Sequence, residues 1–383
     1  MNGRVTLAEI AKRAGVHVTT VSLALRNHTS LPLSTRQRLQ ALAEEMQYRP
    51  DPALRALAAY RTRAATHRKH DTLAYLTHWD SRWGWKDVPA HGDFFSGASE
   101  RARTLGYHLD HFWLGEPGMT CQRMSDILYT RSIHGVIVAS HRREVDEDLA
   151  LDWKRFSAVK IDYLPHRPEL HNVTNNQCAI IRQAMRRSLA AGYRRIGVVM
   201  HREWDFSVDQ AWTAGFLCEQ YALPAGDRVP LLLFPGDGEA DEGTTTWSHD
   251  AGSRTCIQEV ATSDFRAWYQ RFQPEVIITK KSFIERALQT CGLKVPGDVA
   301  LVDLFLERAD GSVAGMRQNH TSVGELAVEI LVGQLHQGKT GIPSVPTVTY
   351  VEGNWFDGAT LPPRTAAPRK GSSRGAKPLT AVT

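Results

Sequence analysis

Residues 4–25, RVTLAEIAKRAGVHVTTVSLAL, predict two short helices joined by a tight turn. Thr6 and Glu9 have the spacing of a capping box, in which each side chain accepts a hydrogen bond from the other residue's backbone N–H. Gly15 stands where the first helix needs a left-handed residue in order to end. Two short helices joined by a glycine turn are typical of a helix-turn-helix, whose second helix enters the major groove of DNA.

A third helix is predicted from Ser34, because Gln37 follows it at the spacing of a second capping box. The sequence YRPDP at 48–52 then ends the helical pattern, since proline cannot continue a helix and restricts the residue before it. The second proline suits the first turn of a new helix over about residues 52–60. This fourth helix is too short to be stable alone.

Together these segments resemble the DNA-binding head and hinge of the lac repressor (LacI/GalR) family of bacterial transcription regulators. The resemblance rests on TLAEIAKRAGVHVTTVS at 6–22 and YRPDPALRAL at 48–57, and it continues more loosely to about residue 361. It implies a cytoplasmic regulator on the bacterial nucleoid, expected to be a repressor. Its partners would be a double-stranded, palindromic DNA operator, a small-molecule effector and a second copy of the chain. Pairing of such homodimers into tetramers stays open.

The family resemblance implies ten DNA-binding residues, which are Thr6, His17, Val18, Thr19, Thr20, Ser22, Leu23, Asn27, Arg55 and Leu57. Val18, Thr19 and Leu23 would face the base edges, and Leu57, with Arg55 beside it, would wedge into the minor groove. Leu23 stands where the family often has an arginine that bonds to guanine, and His17 replaces a frequent serine. A leucine contacts a thymine methyl or fills space, so we expect a weaker guanine requirement. Ordinary packing is the alternative for both leucines.

Charge is divided unevenly along the 383 residues, whose formal net charge is +5. Residues 1–69 hold 12 basic and 4 acidic residues, and residues 361–383 hold 5 basic and no acidic ones. A basic head is typical of phosphate binding that weakens as salt rises. The tail at 361–383, rich in Pro, Ala, Gly and Ser, is predicted to be disordered; it could add DNA affinity or be inert.

From residue 72 onward, short apolar strands alternate with helices, which predicts parallel sheets covered by helices on both faces. The fold class is thus an all-α helix-turn-helix head (1–50) and hinge (51–71), then a two-lobed α/β core (72–360) for effector binding and dimerisation. This core is similar to the periplasmic-binding-protein-like core of the family, in which the chain crosses between lobes three times. We expect the crossings near residues 166, 305 and 335. The first lobe would then hold 72–166 and 305–335, and the second 167–304 and 336–360.

In the family, an effector binds in the cleft between the lobes. The corresponding positions here are Phe95 (or its neighbour Phe94), Trp212, Lys281 and Phe305. The last three depart from the arginine and acids that hold sugars in the family. The cleft could therefore take an aromatic or anionic ligand, or none, and the same residues could equally be core and rim.

Other patterns offer weak alternatives. His108 and His111 have no third metal ligand nearby, and three tryptophans in the loop 78–92 could form a lid, a pocket wall or a packed surface. Five cysteines without paired spacing indicate free thiols in a reducing compartment. We expect no cofactor, no membrane span and no enzyme activity, because the sequence has no phosphate loop or catalytic constellation. A solute-binding protein or a ligand-independent DNA-binding protein of the same fold are the alternatives.

Overall fold

The protein is described by a computed structural model over residues 5–25, 27, 30–48, 71–141, 148–235, 245–247 and 256–364. The chain forms two compact units, Met1–Lys69 and His70–Thr383. Arg55, Leu57, the predicted hinge helix and the tail beyond residue 364 lie outside the described residues.

Three helices form the head: α1 Leu7–Ala14, α2 Val18–Leu25 and α3 Leu33–Glu45. The predicted capping box is confirmed, since Glu9 N–H donates to Thr6 Oγ1 at 3.3 Å and Thr6 N–H donates to the Glu9 carboxylate at 2.7 Å. Gly15 ends α1 with a left-handed φ of +66°. The helices bury one small core, whose central members Ile10, Val21 and Leu39 are fully buried.

The second predicted capping box is wrong. Helix α3 begins at Leu33, directly after Pro32, and no side chain caps its start. Ser34 therefore already lies inside the first turn, where its hydroxyl cannot occupy the cap position.

The body contains fourteen described strands, which are β1 Asp71–His78, β2 Tyr107–Trp113, β3 Gly135–His141, β4 Ser157–Ile161, β5 His171–Asn175, β6 Ile196–His201, β7 Leu232–Phe234, β8 Thr245–Trp247, β9 Cys256–Gln258, β10 Val276–Thr279, β11 Ala300–Asp303, β12 Ala314–Arg317, β13 Val348–Val351 and β14 Asn354–Phe356. Its described α-helices are α4 Pro89–Thr104, α5 Cys121–Thr130, α6 Gln177–Ala190, α7 Arg202–Ser207, α8 Ala211–Tyr221, α9 Thr262–Phe272, α10 Lys281–Cys291 and α11 His320–Gln337. Within the described ranges, none of the helices is long and apolar enough to cross a membrane.

Two six-stranded sheets form the frame of the body. The first has the order β13-β5-β4-β3-β1-β2 and is parallel throughout. The second has the order β14-β12-β11-β10-β6-β7 and is parallel except at the β12–β14 pair. The expected alternation of strands and helices is therefore confirmed, and each sheet with its helices forms one lobe.

Two predicted helices need correction. The sequence pattern predicts one helix over 207–221, whereas the structure has two, because Asp209 and Gln210 both adopt left-handed φ values of 55° between α7 and α8. The pattern also predicts a helix over 257–272, but this helix begins only at Thr262, since 256–258 pairs with β8 in an antiparallel ribbon.

The crossings between the lobes also lie later than expected. The chain leaves the first sheet after β5, returns after β12 and leaves again between β13 and β14, so it crosses at 175–177, 317–320 and 351–354 rather than near 166, 305 and 335. The first lobe thus spans 71–175 and 320–351. The shift arises because β5, with the sequence HNVTN, and β12, AGMR, are short strands with few large apolar residues, so neither gives a clear strand pattern.

Hydrogen bonds join the three crossings to one another. Asn176 Nδ2 donates to the Glu352 carboxylate at 2.7 Å, and Asn319 Nδ2 donates to the Glu352 carbonyl oxygen at 2.6 Å. Asn319 Nδ2 also lies 2.7 Å from Asn354 Oδ1. The parallel strands β5 and β12 reach the crossings at their carboxyl ends, so the carboxyl edges of the two sheets face each other across a cleft. At the cleft the His166 ring meets the Phe206 ring edge-on at 6.0 Å.

Helices α4 and α11 pack backbone to backbone at two glycines of the first lobe. A Cβ atom on Gly97 would lie 2.0 Å from the Thr321 carbonyl oxygen, and one on Gly324 would lie 2.0 Å from the Phe94 carbonyl oxygen. Only glycine permits this approach, since real Cβ atoms do not come so close to backbone atoms. The pair therefore fixes how α11, which follows the second crossing, sits on the first sheet.

We expect Gly97→Ala and Gly324→Ala each to destabilise the protein by about 1–3 kcal/mol, because the added methyl group forces the helices apart. Gly333→Ala, on the same helix α11 but with open space around its Cβ position, is the matched control and should be neutral or stabilising by up to about 1 kcal/mol. Denaturant midpoints of the three variants measure this. Equal midpoints for all three would contradict the close packing.

Two histidines lie at the amino-terminal ends of the same helix pair. His91 in α4 and His320 in α11 both pack against the Phe94 ring, at 5.9 and 5.3 Å between ring centroids. Burial lowers the pKa of each imidazole to about 4, and the charge on His320 further opposes protonation of His91. Both rings are therefore neutral in the folded protein at pH 5, whereas an unfolded chain with histidine pKa values near 6.5 binds protons there.

Stability should fall as the pH drops from 7 to 5, since protons then bind the unfolded state preferentially. His91 alone is expected to contribute about 2 kcal/mol to this loss. The variant His91→Gln should have a correspondingly flatter pH dependence of its free energy of unfolding. His108→Gln, at an exposed imidazole, should retain the slope of the original protein. A His91→Gln variant with an unchanged slope would contradict the burial argument.

Candidate functional site: nucleic-acid interface and ligand cleft

The outward face of α2 is the surface that the head offers to a groove. Val21 and Ala24 point into the core, whereas Val18 is 38% exposed and Thr19 is exposed beside it. Residues four apart share a helix face, so Ser22 and Leu23 continue the surface that begins at Val18 and Thr19. Every residue of α2 is uncharged. The face can therefore offer hydroxyl and methyl groups to base edges, but no guanidinium.

Leu23 is half-buried. It is not one of the described residues that form the head core or pack against it. This position agrees with the predicted outward orientation better than with the core-packing alternative. Thr20 and Ser22 are both half-buried, Thr20 beside the outward face and Ser22 within it.

His17 holds the start of α2. Its Nδ1 accepts the Thr19 N–H at 3.3 Å and lies 3.0 Å from Thr19 Oγ1. An acceptor nitrogen carries no proton, so the Nε2 nitrogen bears the hydrogen in this tautomer. The histidine thus supplies the helix cap that a serine would supply.

Asn27 and Thr6 lie at the ends of α2 and α1. Asn27 adopts a left-handed φ of 56°, and its side-chain oxygen accepts from Arg36 Nη1 at 2.7 Å. Its side-chain N–H groups are the donors that a phosphate could accept from. Thr6 is exposed, and its hydroxyl donates to the Glu9 carboxylate at 3.0 Å within the capping box. Both stay candidates for phosphate contacts, and Arg55 and Leu57 lie outside the described part of the chain.

Two of the predicted effector residues meet at the cleft edge of the second lobe. Trp212 is 2% exposed and packs against Phe305 with 5.6 Å between ring centroids. Phe305 follows β11 and is half-buried. Trp212 therefore packs behind Phe305, whose ring is the more exposed of the two.

The other two predicted effector residues lie apart from this pair, Lys281 at the start of α10 and Phe95 in the first lobe. Lys281 is exposed, and its ammonium group lies 3.7 Å from the Glu285 carboxylate one helical turn along α10. Phe95 packs in the first lobe against Tyr75 and Trp85, at 5.0 and 5.3 Å between ring centroids. Neither contact brings these residues to Phe305.

Sequence reasoning missed three residues that do line this edge. The Lys280 ammonium group lies 4.6 Å from the centroid of the Trp204 ring, and Trp204 meets Phe305 edge-on at 5.2 Å. Asp303 ends β11, and its carboxylate accepts the N–H groups of Phe305 at 2.8 Å and Lys281 at 3.3 Å. Burial raises the pKa of Asp303 against these hydrogen bonds. A position count that took the first residue after β10 and the last residue of β11 would have found Lys280 and Asp303.

The tryptophan loop is a packed surface. Trp85 is fully buried, and Trp83, 47% exposed, lies 4.6 Å from the His111 ring and 4.3 Å from the Lys86 ammonium group. His111 Nε2 hydrogen bonds with Thr77 Oγ1 at 2.8 Å. His108 Nε2 instead contacts Asp110 at 2.8 Å. Over the ranges that the structure covers, no group of three or more candidate ligands could hold a metal ion.

Comparison with known proteins supports this description. A family model described as bacterial regulatory proteins, lacI family, matches residues 6–51. The HTH-type transcriptional regulator IpsA of Corynebacterium glutamicum is 28% identical over 200 residues. That alignment covers 51% of this chain and 52% of IpsA, so the chain spans about half the length of this curated relative.

Two solved structures share the fold at low identity. A complex of the transcriptional regulator CelR with cellobiose has a TM-score of 0.53 at 19% identity, covering 93% of this chain and all of that one. A lac repressor dimer bound to operator and the anti-inducer ONPF has a TM-score of 0.51 at 17% identity, covering 94% of this chain and all of that one. The sequence of the head thus matches the model of the lacI family over residues 6–51, and the body has the two-lobed fold of these two solved structures.

Proposed function

We propose that this protein is a sequence-specific transcription regulator, expected to be a repressor, that binds a palindromic operator as a homodimer in the bacterial cytoplasm. The observation that carries the proposal is the outward face of α2, with Val18, Thr19 and Leu23 directed away from the head core. A face of this kind fits the major groove, where a recognition helix reads base edges.

The affinity and the specificity of such a head come from different groups. The basic residues of 1–69 supply attraction to phosphates, which is independent of sequence and weakens with salt. The uncharged α2 face supplies specificity through hydroxyl groups and methyl contacts. Thymine carries the only methyl group in the major groove, so Leu23 and Val18 favour thymine-containing steps over guanine.

A dimer is expected because the proposed operator is palindromic. One head covers a half-site, and a palindrome requires two heads about one helical turn apart. The hinge, with Leu57 as an apolar wedge and Arg55 beside it, would bend the operator centre. The lac repressor dimer on its operator supports this arrangement by likeness of fold. Pairing of dimers into tetramers and a contribution of the basic tail to DNA affinity both stay open.

The body supplies regulation. A small molecule bound between the carboxyl edges of the two sheets would favour one arrangement of the lobes and so shift the population of heads able to bind the operator. The CelR complex contains a small ligand, cellobiose, which supports a ligand-responsive body by analogy of fold.

Selection of bound DNA from a random library by the full-length protein tests the function. We expect a palindromic motif with thymine, rather than an invariant guanine, at the position that Leu23 reads. Leu23→Arg should introduce a guanine preference at that symmetric pair of positions, by about 1–3 kcal/mol. Gln37→Ala, an exposed change on α3 that alters no charge, should leave the motif unchanged. A motif that is identical in the Leu23→Arg variant would contradict the assigned reading face.

The hinge has its own test in the same selection. Leu57→Ala should lose or weaken the palindrome while individual half-sites stay recognisable, because the head is intact but the central bend is not formed. Binding of the original protein that shows no enriched motif and merely follows low salt would leave only a non-specific DNA-binding protein.

A further inference from the structure

We infer that Arg36 binds a phosphate of the DNA backbone while it holds the carboxyl end of α2. This inference rests on the proposed DNA-binding function, because it adds to the head a contact residue that lies on α3 and is not among the predicted DNA-binding residues. It is carried by the pair of Arg36 and Asn27, called here the phosphate clamp, in which two hydrogen bonds fix a guanidinium group at the end of α2.

The carboxyl end of α2 takes its donors from α3. The last carbonyl groups of a helix have no partner within it and carry a negative partial charge. Helix α2 has no basic residue in its last turn. Instead, Arg36 Nη1 donates to the Asn27 carbonyl oxygen at 3.1 Å and to Asn27 Oδ1 at 2.7 Å. Gln40 Nε2 donates to the Ala24 carbonyl oxygen at 3.0 Å. Residues four apart share a helix face, so Arg36 and Gln40 both lie on the face of α3 that contacts α2.

The charge of Arg36 has no ion-pair partner in the described chain. The two hydrogen bonds to Asn27 are the only ones that its guanidinium group makes with described residues, and neither involves a carboxylate. Helix α2 and the first turn of α3 contain no acidic residue. Glu9 belongs to the capping box of α1, and Glu45 forms an ion pair with α1 at 2.6 Å. An anion from outside the head can therefore supply the counter-charge.

One donor of the guanidinium group is left for such an anion. Arg36 is half-buried, and its Nε atom is buried without a partner, whereas Nη2 is neither buried nor hydrogen-bonded within the described residues. Asn27 holds Nη1, so the group is fixed and Nη2 faces solvent. Because Asn27 Oδ1 is the acceptor, the Asn27 amide N–H groups lie next to the guanidinium. Two adjacent donors, one of them charged, suit the oxygens of a phosphate.

The phosphate clamp lies where α2 would meet a DNA backbone. Asn27 follows Leu23, which belongs to the outward face of α2, by four residues. Helix α2 has eight residues and is therefore about 12 Å long, close to the major-groove width of about 12 Å. When its outward face contacts the bases, its ends lie near the phosphates that border the groove. A phosphate contact at this end fixes the register of a protein on the duplex without reading sequence.

The salt dependence of DNA binding tests the inference with full-length protein and a duplex of random sequence. Arg36→Gln should lower the slope of log affinity against log salt concentration by about 1 per head, because one phosphate contact is lost. Arg36→Lys retains the charge and should retain the slope. Arg38→Gln removes an equal charge from an exposed position of α3 that faces away from α2, and should leave the slope unchanged.

An unchanged slope in Arg36→Gln, or equal decreases in Arg36→Gln and Arg38→Gln, would overturn the inference. Because the duplex has a random sequence, this result is obtained even if no operator motif is selected. Failure of the phosphate clamp is thus separable from failure of the proposed function.

Neutral phosphates in the selected operator separate a direct contact from a damaged head. Replacing each phosphate in turn by a methylphosphonate should weaken binding of the original protein about tenfold or more at one symmetry-related pair contacted by Arg36. Arg36→Gln should lose no further affinity at that pair but stay sensitive at other phosphates. A variant that is as sensitive as the original protein at every phosphate would contradict the contact, and one that is insensitive at all of them would show a damaged head instead.

Discussion

The body depends on the hydrogen bonds that tie its three crossings together. Asn176 caps α6 through its side-chain oxygen and donates its amide hydrogens to Glu352, so one residue both starts the second lobe and holds the last crossing. Asn319, at the start of α11, holds the same segment from the other side. Without these hydrogen bonds the three crossing segments could separate from one another, because such short connections bury little apolar surface. The side-chain amides join the three crossings into one hydrogen-bonded unit, called here the joint.

The joint explains why the cleft lies where it does. Since the chain leaves β5 and β12 at their carboxyl ends, those ends of both sheets must face the crossings and each other. Open α/β sheets bind ligands outside the carboxyl ends of their strands. In the second lobe Trp204, Lys280 and Phe305 lie within three residues of the ends of β6, β10 and β11, and the Lys280 ammonium group lies over the Trp204 ring. In the head, charge and base reading are assigned to different residues. The basic residues attract phosphate, whereas the helix that would contact the bases carries no charge.

The sequence predicted correctly those elements that depend on the spacing and type of neighbouring residues. The capping box at Thr6, the left-handed Gly15 and the alternation of strands and helices follow from spacing and residue type. The cap predicted at Ser34 was wrong because α3 begins at Leu33, directly after Pro32 and without a side-chain cap. The predicted positions of the crossings were wrong because the sequences of β5 and β12 give no clear strand pattern. These segments are strands because they pair with neighbouring strands in the sheets. Lys281 was preferred to Lys280 because sequence alone cannot tell which of two adjacent lysines points along a helix and which lies over a tryptophan. That choice depends on Trp204, 76 residues earlier in the chain.

The central claim is that an uncharged helix face reads the operator through methyl and hydroxyl contacts. The most direct measurement replaces each thymine of the operator in turn by uracil, which removes only the methyl group, and determines the affinity of the full-length protein. The account predicts a loss of roughly 1 kcal/mol at one symmetry-related pair of positions in the two half-sites. Affinity that is insensitive to every thymine methyl, together with strong dependence on a guanine in each half-site, would contradict it.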